Sequence, residues 1–107
     1  MRYLMLVSQE PDGTPVEEAE PIEWVTEMRE RGVRQLGARL RPASDATTVR
    51  VRDGEVLLTD GPFAETKEQI GGFDLIECES LDEAIEVAAR HPSARFGFVE
   101  VRPIWED

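Results

Sequence analysis

Between Thr47 and Thr59 the chain reads Thr-Thr-Val-Arg-Val-Arg, then Asp53-Gly54, then Glu-Val-Leu-Leu-Thr. Two β-rich runs joined by Asp-Gly specify a hairpin, because a type I′ turn needs positive φ at both central positions. Val49 and Val51 would face one side of this ribbon, Arg50 and Arg52 the other. The hairpin is set within a chain that otherwise alternates strand and helix patterns, so it limits how the remaining elements can be connected.

Arg2 to Val7 is nearly continuous in apolar residues, as a strand covered on both faces would be. A Pro- and Gly-containing loop runs from Gln9 to Pro15. Thr14 with Glu17 fits a capping box and Pro15 suits a first helical position, but Pro21 would kink a helix begun there. The expected helix therefore starts at Pro21. Ile22, Val25 and Met28, with Trp24 beside them, mark one face, and Gly32 stops it. Val33 to Leu40 reads as a strand interrupted by Gly37, and Pro42-Ala43-Ser44-Asp45 as a loop. Ala64 to Gln69 is helix-compatible but short. Gly71-Gly72 precedes the strand Phe73 to Cys78. Ser80 and Glu83 form a capping box that opens a helix with Leu81, Ala84, Ile85, Ala88 and Ala89 on one face. Pro92 ends that helix. The last strand is Phe96 to Ile104.

Without the hairpin, the order is a βαββαβ split unit of the ferredoxin-like kind, an α+β fold with two helices on one face of an antiparallel sheet. Residues 1–107 are expected to form a single domain. Leu4-Met5-Leu6-Val7 and Phe98-Val99-Glu100-Val101 carry apolar residues on both sides, so the sheet face without helices would be apolar. Such a face does not stay wet, and a homodimer through the open sheet face is expected.

Twelve Lys and Arg stand against 23 Asp and Glu, a net charge of −11. That balance argues against nucleic acid, which needs a basic face, and against an anionic membrane surface. No stretch approaches the roughly 20 apolar residues of a membrane span, and the apolar N-terminal run stops too soon for a signal peptide. Cys78 is the single cysteine, which fits a reducing compartment; a cytoplasmic protein is expected. The charge is uneven. Glu10, Asp12, Glu17, Glu18, Glu20, Glu23, Glu27 and Glu30 face one base, Arg29, in the first stretch. Arg31, Arg34, Arg39, Arg41, Arg50 and Arg52 face one acid, Asp45, in the next. These stretches read either as complementary solvated faces or as the source of an arginine-lined site for a small anion.

Asp60-Gly61-Pro62-Phe63-Ala64-Glu65-Thr66-Lys67-Glu68-Gln69-Ile70-Gly71-Gly72-Phe73 resembles the signature of the DGPF branch of the YCII-related family. The resemblance extends to the Arg2–Val7 start, Ala46 to Arg50 with its Asp53-Gly54 turn, Leu81-Asp82-Glu83-Ala84, His91-Pro92 and Val99 to Pro103. It implies a dimeric α/β-barrel fold, a cytoplasmic location and a function mostly unassigned. Genes of this branch often lie beside genes for extracytoplasmic-function sigma factors, which implies a regulatory or accessory role. In the wider family a His–Asp pair is proposed as an active site, and one branch is dehydrochlorinase-like. Residues 17–31 of this chain hold no histidine, so that chemistry is not carried over.

The candidate ligand site is drawn from the motif: Asp60, Gly61, Pro62, Phe63, Lys67, Glu68, Gly72 and Phe73. The glycines let backbone approach a ligand, Lys67 suits an anion, Phe63 and Phe73 supply apolar walls, and Asp60 or Glu68 would accept a proton if buried. Asp-Gly-Pro is equally a plain turn, so pocket and scaffold both stand open. His91, the sole histidine, lies at a helix C-terminus, where a cation is favoured by the dipole, and capping is its expected role. No metal spacing or phosphate-binding loop occurs, and no cofactor is expected. Two functions follow: a small-molecule-binding dimer acting as an accessory enzyme, and a non-catalytic interaction module for a protein partner such as a sigma factor.

Overall fold

The computed structural model describes residues 1–9, 19–64 and 69–106, with the backbone alone over 19–21. The unbroken apolar run at the N-terminus becomes β1 (Arg2–Ser8), with Tyr3, Met5 and Val7 buried and Leu4 and Leu6 half-buried. An interior position in the sheet suits such a run, and β1 pairs antiparallel with a strand on each side. After it come α1 (Ala19–Glu30), β2 (Arg34–Arg39), β3 (Thr47–Arg52), β4 (Glu55–Asp60), β5 (Ile70–Glu77), α2 (Leu81–Ala89), α3 (Ser93–Phe96) and β6 (Val99–Pro103). β2, β5, β1 and β6 form one sheet in that order, every neighbouring pair antiparallel. The architecture is mixed α+β.

Several boundaries differ from those the sequence suggests. α1 starts at Ala19 rather than Pro21. Pro21 then lies in the first turn, where backbone N–H groups have no intrahelical partner, so the ring removes no hydrogen bond. The Thr14–Glu17 capping box lies outside the described residues. β5 takes in Gly71 and Gly72 instead of following them. A Cβ on Gly71 would stand 2.7 Å from Cβ of Gln9, and one on Gly72 3.0 Å from the carbonyl oxygen of Ala38. Both glycines therefore let neighbouring backbone close on β5. Pro92 ends α2, yet its helical φ of −54° also opens α3, so β6 begins at Val99 and not at Phe96.

The second capping box forms: the Ser80 hydroxyl accepts from the Glu83 N–H at 3.2 Å, and the Glu83 carboxylate accepts from the Glu79 N–H at 2.9 Å. The buried face of α2 is Ala84, Val87 and Ala88, whereas Leu81 and Ile85 are exposed. Small residues allow the helix to sit close to its neighbours. Trp24 Nε1 fixes the arrangement by donating to the Val87 carbonyl at 3.0 Å. Tyr3, Met5, Trp24, Met28, Val33, Ile76 and Val87 form the centre of the core. On the surface, Arg31–Glu86 (3.2 Å) and Arg90–Glu27 (3.0 Å) join the two long helices. Among the described residues no helix is long and apolar enough to cross a membrane.

The hairpin forms a two-stranded sheet of its own. Asp53 (φ 52°) and Gly54 (φ 79°) both adopt positive φ, as a type I′ turn requires. Val49 pairs with Leu58 and Val51 with Val56, which puts four aliphatic side chains on one face of the ribbon. All four are exposed, and every residue of β4 is exposed. The radius of gyration, 15.5 Å, exceeds the about 13 Å typical of a compact chain this long.

Candidate functional site

A cleft of about 400 Å³ opens on the helix-covered side of the sheet. Val25 of α1, Ser8 at the end of β1, the start of β5, residues 38–42 and the α2–α3 turn enclose it. Each of these segments comes from a different part of the chain, and all but α1 bring a polar group into an otherwise apolar wall.

The turn supplies His91 and Ser93. His91 N–H donates to the Ala88 carbonyl at 3.0 Å and so extends the end of α2 by a tight turn. Its side chain folds back, and Nδ1 accepts from the Ser93 N–H at 3.1 Å. The Trp24 ring lies edge-on to it at a centroid separation of 4.9 Å. Only 6% of His91 is exposed, and burial pushes its imidazole down to about 4. His91 is therefore neutral at pH 7, so the expected cation at the helix terminus is absent: desolvation outweighs the dipole. Ser93 is fully buried, and its hydroxyl is the one buried side-chain polar atom without a partner among the described residues. A buried hydroxyl left unpaired costs about 1–3 kcal/mol.

Ser8 ties the cleft floor to the last loop. Its hydroxyl accepts from the Phe98 N–H at 2.9 Å, and its own N–H donates to the Phe98 carbonyl at 3.1 Å. Gly97 is required beside it, because a Cβ there would overlap the Ser8 hydroxyl.

Across the cleft, Arg34 Nε donates to Asp74 Oδ1 at 2.8 Å, both side chains largely buried. Burial pushes the Asp74 carboxyl above its usual range; the hydrogen bond and charge of Arg34 pull it back without fully offsetting that. Asp74 pairs in register with Gly37 of β2. A Cβ on Gly37 would overlap the Asp74 carboxylate and stand 2.5 Å from the Arg34 guanidinium. The glycine that weakened the sequence signal for β2 thus makes room for the ion pair.

Of the residues singled out in the motif, Gly72 and Phe73 line the cleft. Asp60, Gly61, Pro62 and Phe63 do not. Asp60 pairs with Thr47 at the base of the hairpin. Gly61, with φ 97°, donates its N–H to the Ala46 carbonyl at 2.7 Å and accepts from the Thr48 hydroxyl at 2.8 Å. Phe63 is 81% exposed. Lys67 and Glu68 lie outside the described residues. The motif is thus divided between hairpin closure and cleft wall. The arginine-rich stretch was the better pointer: Arg34, Arg39 and Arg41 all line the cleft. Arg34 is taken by Asp74 and Arg41 by Asp45 (3.0 Å), whereas Arg39 has no acidic partner among the described residues. No periodicity marks His91, Ser93 or Asp74. Cys78 is a buried thiol pushed up to about 11, an inert form, and the described residues hold no group of three or more acids, His or Cys placed to bind a metal.

Among known proteins, an uncharacterised protein of Rhizobium meliloti (strain 1021) is 43% identical, with 76% of this chain and 79% of the relative covered. The fold is similar to that of 5-chloro-2-hydroxyhydroquinone dehydrochlorinase from Burkholderia phenoliruptrix AC1100, solved with 2,5-dihydroxybenzoquinone. That likeness has a TM-score of 0.55 and 18% identity, and spans 99% of this chain and 94% of the other. The YCII-related domain model matches residues 1–106, and the chain belongs to that family.

Proposed function

We propose that this protein binds a small organic molecule in the cleft between α1, the β2–β5 edge and the α2–α3 turn, and serves as an accessory enzyme. The carrying observation is the buried, unpartnered Ser93 hydroxyl in a cleft of about 400 Å³. Protein interiors rarely leave such a group unpaired, and this volume falls in the range of small-molecule pockets, about 300–1,000 Å³. The dehydrochlorinase neighbour, an enzyme solved in complex with a small quinone, supports the reading at the level of fold. The test is a thermal-shift screen of small metabolites that includes hydroxylated quinones. A compound that binds only the folded state raises the melting temperature. Failure of every compound to raise it, with no saturation-transfer signal from the same panel, overturns the reading.

The arrangement we propose is a ferredoxin-like βαββαβ unit of the DGPF branch, paired as a dimeric α/β barrel. The strand order β2-β5-β1-β6 supports the unit. Two cross-strand rows support the pairing: Leu36, Leu75, Leu4 and Arg102 in one, Ala38, Phe73, Leu6 and Glu100 in the other. A monomer by light scattering at micromolar concentration would remove the dimer. A cytoplasmic setting is part of the proposal and rests on the single buried thiol of Cys78.

A second reading, an interaction module for a sigma factor or another protein, draws on the exposed aliphatic face of the hairpin. Recovery of no complex between the purified chain and a sigma factor encoded beside it sets that reading aside.

A further inference from the structure

The cleft's polar groups can be sorted by what they still offer a ligand. Arg34 and Asp74 are spent on each other at 2.8 Å. Ser8 Oγ accepts from the Phe98 N–H, which leaves its own O–H as a donor. His91 Nδ1 is spent as an acceptor from the Ser93 N–H, so it cannot carry the ring proton of a neutral imidazole. The proton must then sit on Nε2, and His91 offers a donor, not a base. The Ser93 hydroxyl is unpaired, and the Arg39 guanidinium at the rim has no acidic partner among the described residues. What remains is chiefly donors, namely the Ser93 and Ser8 hydroxyls, the His91 Nε2–H and the cationic Arg39 guanidinium, with the Gln9 amide beside them. Val7 and Val25 make the remaining wall apolar.

We infer that the cleft takes an oxyanion (a carboxylate, or an ionised phenol or enol) on a compact apolar body, held by the Ser93 hydroxyl, His91 Nε2–H and the Arg39 guanidinium. This rests on the small-molecule reading of the cleft and adds the chemical class. A neutral imidazole with a fixed donor nitrogen can polarise or hold a developing oxyanion without itself being a charged acid. The one carboxylate lining the cleft among the described residues, Asp74, does not oppose the anion with a free charge, because Arg34 neutralises it across 2.8 Å. Burial of His91, which holds the imidazole neutral at pH 7, is consistent with the donor role.

The test uses the full chain and three probes that share one ring: benzoate, benzyl alcohol and benzylamine. The chain has a single histidine, so both ring nitrogens seen in a ¹⁵N-labelled sample belong to His91. The expected result is an Nε2–H tautomer at pH 7 whose Nε2 signal moves with benzoate. Benzoate should bind at least about tenfold tighter than either neutral or cationic analogue, the scale of one charge-assisted hydrogen bond. Ser93→Ala should weaken benzoate by about tenfold while raising the melting temperature of the unliganded protein, because it removes an unpaired buried hydroxyl. Arg39→Gln should weaken benzoate by about three- to tenfold and leave folding unchanged, whereas Arg50→Gln, on the hairpin, should leave binding unchanged. An imidazolium or an Nδ1–H tautomer at pH 7, or equal binding of all three probes, overturns the inference and leaves the pocket reading standing. Binding of none of the three at millimolar concentration overturns the inference; if the wider metabolite panel is silent as well, the pocket reading falls with it.

Discussion

The cleft and the hairpin violate the usual partition of polar and apolar groups in opposite senses. In the cleft a serine hydroxyl is fully buried without a partner beside a neutral histidine, and an arginine–aspartate pair is largely withdrawn from water. On the hairpin Val49, Val51, Val56 and Leu58 are between 57% and 68% exposed. Each leaves an interaction unmade: an unpaired hydroxyl in one case, apolar surface left in water in the other. The cleft lies within the main body, where packing on several sides holds Ser93 and His91 in place. The hairpin is a two-stranded ribbon, and a ribbon of that size has no interior in which to hide its own apolar face. The first arrangement fits a small molecule, the second a surface as large as the ribbon.

The largest expected effect lies in the cleft. Arg34→Met should destabilise the chain by about 3 kcal/mol, measured by urea unfolding, because it leaves the buried Asp74 carboxylate without its counter-charge. A loss below 0.5 kcal/mol would show that the pair is well hydrated and would dissolve the contrast with the surface.

Acid should act nearly as strongly. Burial holds the His91 imidazole at about 4 in the folded chain, below its value of about 6.5 in the unfolded one. The unfolded state therefore binds the extra proton in that window. The contribution of His91 is complete above pH 6.5 and is lost as the pH falls through the window to about 4. The loss should reach on the order of 2 kcal/mol by pH 5. Asp74, whose carboxyl is raised, has the opposite sign: its cost is present at neutral pH and is relieved as the pH falls through its folded value. Stability that is flat between pH 7 and 5, with an imidazole signal titrating near 6.5, would place His91 in water.

Ser93→Ala should stabilise the unliganded chain by about 1 kcal/mol, an unusual sign for truncation of a core residue. Destabilisation by a similar amount would mean that the hydroxyl has a partner in solution, such as an ordered water. The smallest effect is expected on the hairpin. Val56→Thr with Leu58→Thr should change the stability of the isolated chain by less than about 0.5 kcal/mol, since both side chains are exposed. A loss above 2 kcal/mol that grows on dilution would show that the ribbon is buried against a second copy, so that its exposure belongs to the single chain alone.

Local rules carried the hairpin turn and the second capping box. Both are settled within four or five residues: Asp53-Gly54 by the φ values they tolerate, Ser80 and Glu83 by the reach of their side chains. The same rules misplaced the inner face of α2. Leu81 and Ile85 are more hydrophobic than Ala84 and Ala88, yet the close seat against Trp24 favours the small residues. The motif at residues 60–73 drew the candidate site towards itself, but its first residues close the hairpin, and among its described residues Gly71, Gly72 and Phe73 reach the cleft.

By itself the sequence determined the six strands and two long helices in outline, that Asp53-Gly54 turns the chain, and that arginines concentrate between Arg31 and Arg52. These follow from backbone preferences and short-range hydrogen bonds. Tertiary structure alone decided the chemistry. Arg34 meets Asp74 across 40 residues of chain, Ser8 meets Phe98 across 90, and His91 becomes a neutral donor because Trp24 and the core take its water away. Burial and hydrogen-bond satisfaction depend on what distant segments bring to one place, so no local pattern announces them.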